Sequence, residues 1–344
     1  MIETVRLMMV GFGNVGKAFA RLLLDKEAEL LEQYQLRLIV TGICTRSHGA
    51  AIDPRGLDLR SVLETLQASG SLGSLDRAGF SGNALVFIRD CEGDVLLDST
   101  PVNPKTGQPT ISHLEAGLRK GMHAVTPNKG AVVFGYQHLT ALAESRGKKF
   151  LFESTVLDGA PLFSLFRKNL SLANLKGFSG VLNSCTNLLI GRMEDGESFE
   201  QALAYARSIG ITETDPSNDV DGWDAAIKVS ALATVLMKHP LTPVEVQPTG
   251  IRGITPEKIA AARAAGKRWK LVCSAGYDEQ GRFFARVCPE MVGPESPFYS
   301  LYGTDSLIVF NTDVLPGLGV LETKTTPYTT AYGMLADVLS ALRD

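Results

Sequence analysis

The chain has 344 residues, 44% hydrophobic and 21% charged, with 34 glycines and 16 prolines, enough for about two domains that each bury a core. These fractions exclude disordered, collagen-like and coiled-coil classes, and a formal charge of −3 leaves no basic excess for nucleic acid. Five scattered cysteines (Cys44, Cys91, Cys185, Cys273, Cys288) without a C-x-x-C pair argue against a disulfide framework or a thiolate zinc site.

In chain order, Val5–Val10 is a short apolar run that ends in Gly11-Phe-Gly-Asn-Val-Gly16. Val15, Phe19, Leu22 and Leu23 then recur at helical spacing, and Leu36–Cys44 forms a second apolar run. Strand, glycine turn, helix and strand make a βαβ unit. Ala84–Ile88, Val95–Leu97 and His123–Thr126 are further predicted strands, and Thr110–Gly121 is an amphipathic helix stopped by glycine. The alternation implies a parallel sheet covered on both faces. Beyond about residue 150 the pattern changes. Phe150–Val156 and Gly177–Leu182 are predicted strands, Pro161–Arg167 a short helix, and 198–209 and 224–237 longer helices. The runs Lys270–Ala275, Phe283–Val287, Ser306–Asn311 and Val320–Thr323 are expected to join one mixed sheet. A last helix, Thr330–Leu342, is expected to return to the first domain. The start of the chain lacks the pattern of a signal peptide, and no run approaches about 20 apolar residues. With reduced thiols, this points to a soluble cytoplasmic protein without a membrane partner.

Gly11-x-Gly13-x-x-Gly16 follows a strand and opens a helix, the context of a dinucleotide-binding turn. There the first glycine permits the turn, the second admits the pyrophosphate to the backbone, and the third allows close helix packing. An NAD site places an acid after the second strand; here the residues are Cys44-Thr45-Arg46-Ser47-His48. Arg46 either pairs with a 2′-phosphate, favouring NADP with some use of NAD, or is a solvated surface arginine.

Thr126-Pro-Asn-Lys129-Gly130 follows a strand at the edge where ligands of open α/β sheets gather. Lys129 is either a site residue or a solvent-facing loop charge. Farther on, Gly210-Ile-Thr-Glu213-Thr-Asp215-Pro216 leads to Asp219, Asp221, Asp224 and Lys228. The helix from 224 is apolar nearly all round, so it should be buried with Asp224 and Lys228 on one face. A structural ion pair and a substrate or catalytic role are both open, because buried charges cost free energy unless paired.

These segments, with Glu153-Ser-Thr-Val156-Leu-Asp-Gly-Ala-Pro161 and Gly180-Val-Leu-Asn183-Ser-Cys-Thr-Asn187, resemble homoserine dehydrogenase over nearly the whole chain. The resemblance implies an α/β protein: a Rossmann-type doubly wound parallel sheet plus an α+β domain with a mixed sheet. Residues 1–150 would bind NAD(P), with helix 330–344 packed back on them, and 151–329 would serve substrate binding, catalysis and dimerisation. The implied reaction is NAD(P)-dependent interconversion of L-homoserine and L-aspartate 4-semialdehyde, on the route to threonine and methionine. The form would be monofunctional, without an aspartokinase or an ACT regulatory domain.

Residue by residue, the resemblance assigns Lys228 as proton donor, Lys129 between nicotinamide and substrate, and Asp224 to catalysis. It assigns substrate contacts to Glu213, Asp219, Asp224, Asn183 and Thr186. Cofactor contacts fall to Gly11, Phe12, Gly13, Asn14, Val15, Gly16, Arg46, Thr100 and Lys129. A monovalent cation, sodium in most members, would lie on Glu153 and the backbone carbonyls of Val156, Asp158 and Ala160. The expected assembly is a homodimer acting on a small amino-acid substrate.

This chain departs from the family at four places. Asn183-Ser184-Cys185 replaces Asn-Gly-Thr, Ile211 replaces an aromatic, and Thr126-Pro127 replaces Thr-Ala. Lys324-Thr-Thr-Pro-Tyr-Thr-Thr330-Ala331 lacks the glycines common before Thr-Ala. Two other readings remain at this stage: a relative acting on another amino-acid-derived aldehyde or amine, and a nucleotide-sensing protein without catalysis.

Overall fold

The first strand, β1 (Glu3–Val10), sends Leu7 and Met9 to one face and Met8 and Val10 to the other, and all four are buried. A strand buried twice belongs inside a sheet with helices on both sides. The computed structural model describes residues 2–212 and 215–343. It divides the chain into two units, Met1–Pro161 with Thr326–Asp344, and Leu162–Thr325.

In the first unit β1 is followed by α1 (Asn14–Tyr34), β2 (Leu36–Cys44), β3 (Ala50–Ile52), α2 (Leu59–Ser69) and α3 (Ala84–Asp90). Then come β4 (Val95–Asp98), α4 (Thr110–Arg119), β5 (His123–Val125), α5 (Lys129–Ser145) and β6 (Phe150–Leu151). The sheet runs β3-β2-β1-β4-β5-β6, with every neighbouring pair parallel except β2 and β3. This is the Rossmann-type order. Its direction of winding reverses between β1 and β4, where such sheets open a ligand crevice at their carboxyl edge.

The second unit contains β7 (Leu175–Val181), α6 (Ser184–Glu194), α7 (Phe199–Ser208), α8 (Ser217–Val220), α9 (Trp223–Leu236), α10 (Pro243–Val246) and α11 (Pro256–Ala264). Four strands complete it: β8 (Arg268–Tyr277), β9 (Phe283–Val292), β10 (Ser306–Thr312) and β11 (Pro316–Glu322). Its sheet order is β11-β10-β7-β8-β9. The last helix, α12 (Pro327–Arg343), belongs to the first unit. There Met334, Leu335 and Val338 share a core with Phe19 and Leu22 of α1.

Several expectations need correction. Ala84–Ile88 is helical, because Asn83 Oδ1 accepts from the backbone N–H groups of Leu85 (3.0 Å) and Val86 (3.1 Å) and so starts a helix. The predicted strand Phe150–Val156 ends at Leu151. The Glu153 N–H leaves the ladder to bond Asp337 Oδ2 of α12 at 2.7 Å, and Glu153–Thr155 makes a 3-10 turn. The helix expected at Pro161–Arg167 is a π-helical turn at Leu165–Asn169. The second sheet is antiparallel throughout rather than mixed; the mixed sheet is the first, through its β3 edge. The chain passes from the first unit to the second after Pro161 and returns at Thr326, a structural division that stands beside the expected functional one at 150 and 329. The 153–160 segment stays with the first unit because α12 holds it: Ser154 Oγ donates to Thr330 O at 2.7 Å, and Thr330 Oγ1 to Asp158 Oδ1 at 2.9 Å.

Candidate active site

The glycine turn occupies the carboxyl end of β1. Gly11 has φ +87°, and a Cβ there would lie 2.7 Å from the Ser99 carbonyl carbon and 2.8 Å from Thr100 N. Only glycine fits that close approach between the ends of β1 and β4. Gly13 is the reverse case: its Cβ direction is open, with nothing within 4 Å. Gly13 also begins α1 without a side-chain cap. The first N–H groups of that helix thus have no side-chain cap, and such a helix start suits a pyrophosphate. Gly16 is buried against Phe12, whose ring lies inside the core, whereas Asn14 is exposed and Val15 half-buried. Arg46 is exposed in the turn after β2, where Thr45 N bonds Gly49 O at 2.9 Å. Thr100 Oγ1 turns inward to Asp98 Oδ1 at 2.5 Å. Lys129 is half-buried and opens α5 directly after its cap, Asn128.

In the second unit three helices converge on one polar cluster. Asn183 caps α6, its Oδ1 accepting from Thr186 N at 2.8 Å. Its Nδ2 donates to Asp219 Oδ1 at 2.8 Å and Asp224 Oδ2 at 3.0 Å. Thr212 Oγ1 donates to Asp219 Oδ2 at 2.9 Å. On α9, Asp224 and Lys228 share a face with Nζ 3.1 Å from Oδ2, the side chains 20% and 14% exposed. Lys228 Nζ also donates to Leu182 O at 2.6 Å. Partial burial, then the charge of Asp224, raises the Asp219 carboxyl above the usual aspartate range, against the bonds from Asn183 and Thr212. Burial and the nearby Asp219 likewise raise the Cys185 thiol, which keeps it protonated. An ammonium held by a carboxylate and a carbonyl beside a second carboxylate can bind a zwitterion and move a proton.

Comparison with known proteins decides between the readings. The family model "Homoserine dehydrogenase, NAD binding domain" matches residues 11–153, and "Homoserine dehydrogenase" matches 161–339. The chain belongs to the homoserine dehydrogenase family. It is 33% identical to the homoserine dehydrogenase of Methanocaldococcus jannaschii over 97% of each chain. It is 30% identical to the NAD(+)-dependent homoserine dehydrogenase of Pseudomonas canavaninivorans, over 97% of this chain and 95% of that one. Among solved structures, a hyperthermophilic archaeal homoserine dehydrogenase mutant in complex with NADPH matches with a TM-score of 0.81 and 25% identity, covering 99% of this chain and 98% of that one.

Homoserine dehydrogenase activity is NAD(P)-dependent oxidation and reduction at a CH–OH group of a small substrate. The glycine turn fits that cofactor by the open approach at Gly13. Of the expected substrate residues, Asn183, Asp219 and Asp224 lie together with Lys228, while Thr186 is wholly buried and its hydroxyl returns to Asn183 O at 3.0 Å. Glu213 lies outside the described residues. Asp215 and Asp221 face outward, Asp215 Oδ1 accepting from Ser217 N at 3.0 Å and Asp221 pairing with Arg252. Asn187 is held by Lys270, whose Nζ donates to its Oδ1 at 2.8 Å and whose pKa burial lowers to about 8. For the expected cation, Glu153 is buried, but among the described residues no group of three or more His, Cys, Asp or Glu is arranged to hold a metal ion. No helix among them is long and apolar enough to cross a membrane.

Sequence reasoning missed Thr212 and the Leu182 carbonyl. The first sat unweighed within Gly210-Ile-Thr-Glu213, and a backbone acceptor carries no residue signal at all. The wall at Gly11 gives a direct test. Gly11→Ala should weaken NADPH binding about 5- to 150-fold, because strain at such a position costs about 1–3 kcal/mol. Titration of NADPH fluorescence measures it, and unchanged affinity would mean the turn does not hold the cofactor.

Proposed function

We propose that this chain interconverts L-homoserine and L-aspartate 4-semialdehyde, with Lys228 as the proton donor and Asp219 and Glu213 holding the substrate ammonium. The observation that carries the reading is the placement of Lys228 Nζ, anchored at 3.1 Å to Asp224 and at 2.6 Å to Leu182 O beside Asp219. NAD(P)H, when bound, supplies the hydride that reduces the aldehyde carbon. As that carbon gains hydride its oxygen becomes alkoxide-like, and the Lys228 ammonium stabilises it and gives up a proton to form the hydroxyl. In the reverse direction Lys228 accepts that proton. Asp224 keeps Lys228 charged and in place. Lys129, at the start of α5, is assigned to the cofactor, on the nicotinamide side of the first unit's site.

The first unit is proposed to bind the nucleotide and the second the amino acid. Arg46, with no acid at the end of β2, favours NADP through the 2′-phosphate. The buried Glu153 and the carbonyls of Val156, Asp158 and Ala160 would hold a monovalent cation, as the resemblance of the 153–161 segment to the family implies. A homodimer is proposed through the second unit, whose edge strands expose Phe284, Met291 and Leu321. Five free thiols suit a reducing, cytoplasmic setting.

Three measurements test these assignments. Lys228→Ala should lower kcat for homoserine oxidation at least about 100-fold, the scale of a lost general acid, with NADPH affinity unchanged; near-normal turnover would remove Lys228 from the chemistry. Protonation of Asp219 removes the charge that holds an ammonium, and its raised pKa places this step at higher pH than for an ordinary aspartate. The homoserine KM should therefore climb as pH falls, and Asp219→Asn should abolish that limb; an identical limb in the variant would assign it elsewhere. Finally, Arg46→Asp should shift the NADP:NAD ratio of kcat/KM toward NAD by about 10-fold or more, and a constant ratio would leave Arg46 in solvent.

A further inference from the structure

At the carboxyl ends of β4 and β5 the first unit buries Asp98, Thr110, His113, Thr126 and Asn128, polar residues that the proposed chemistry does not use. Their hydrogen bonds have a single consistent direction. Asp98 is a carboxylate and accepts. Thr100 Oγ1 donates to Asp98 Oδ1 at 2.5 Å, and His113 Nδ1, carrying the ring proton, donates to Oδ2 at 2.7 Å. Because the Thr100 hydroxyl hydrogen is committed to Asp98, the 2.8 Å contact between Thr100 Oγ1 and Thr110 Oγ1 has Thr110 as donor. Thr110 Oγ1 accepts in turn from Asn128 Nδ2 at 2.9 Å. The second hydrogen of that amide goes to Thr100 O at 3.0 Å, while Asn128 Oδ1 accepts from Gly130 N at 3.0 Å.

The chain of donors thus ties together two loops that meet at the crevice edge. One is the Ser99–Thr100 turn, whose backbone forms the wall against Gly11 and whose Ser99 Oγ donates to Gly11 O at 3.1 Å. The other is the cap at Asn128 that starts α5 at Lys129. A wall within 3 Å of where a Cβ on Gly11 would sit cannot shift without moving the glycine turn.

We infer that Asp98, His113, Thr110 and Asn128 are positioning residues for NAD(P) binding, holding the Ser99–Thr100 turn in register with the glycine turn. The inference rests on cofactor binding by the first unit. Its test compares Thr110→Val, which keeps the shape and loses the hydroxyl, with Thr110→Ser, which keeps the hydroxyl and loses the methyl. Both are made in the full chain and read by NADPH fluorescence titration alongside melting temperature. The valine variant should bind NADPH about 10-fold more weakly than the parent, from the loss of a buried hydrogen-bond link. The serine variant should stay within about threefold, since only packing is lost. A packing role for Thr110 gives the opposite order, and that order, or equal affinities, overturns the inference. If the valine variant fails to fold, His113→Asn, whose amide can still donate to Asp98, and His113→Leu, which cannot, carry the same comparison. A parent protein that does not bind NADPH would instead overturn the cofactor assignment itself.

Discussion

Two neighbouring carboxylates must be kept inside the second unit, and a single amide makes their proximity tolerable. Asn183 Nδ2 donates to both Asp219 and Asp224, placing partial positive charge where the two acids would otherwise repel each other. The rest of the cluster follows from it. Since the other end of the same amide caps α6, the first turn of that helix is locked to α8, which carries Asp219, and to α9, which carries Asp224. Lys228 then balances one of the two charges from the same helix. Removing either partner of such a group leaves a charge stranded, which is why buried pairs are costly to break.

The two units solve opposite electrostatic problems. A dinucleotide is anionic along its pyrophosphate, and on the proposed assignment the first unit would meet it with the uncapped start of α1 and the arginine after β2. An amino acid carries an ammonium, and on the same assignment the second unit would meet it with carboxylates. The backbone serves the first purpose well, because peptide dipoles aligned in a helix need no side chain. It cannot serve the second at a helix start, so side chains do, and they must be held by hydrogen bonds.

Much of this was legible in the residues. The run from Val5 through Gly16 to Cys44 announced the first βαβ unit, because a strand, a glycine turn and a helix with one apolar face leave little freedom. Helix α9 was legible for a related reason: it is apolar nearly all round, so its two charges at fourfold spacing had to be accounted for. What escaped notice depended on partners distant in sequence. Ala84–Ile88 is a short apolar run whose period does not distinguish strand from helix, and Asn83 decided it. Phe150–Val156 lost its strand character to Asp337, and strand direction in the second sheet depends on connections that hydrophobic pattern does not encode. Asp98 and His113 are brought together by the ends of β4 and the first turn of α4, and neither looks unusual in its own segment.

The return of α12 to the first unit bears on how the protein is made. Phe19 and Leu22 lie in the opening part of the chain, yet the Met334, Leu335 and Val338 side chains that cover them come from its last helix. During vectorial synthesis the whole Leu162–Thr325 unit is translated between these two halves of one core. The nascent nucleotide unit therefore leaves the ribosome with an apolar face of α1 exposed to water, and it can close only when α12 emerges. Until then the second unit, whose residues are contiguous, is the part of the chain that can reach its native core without waiting for α12.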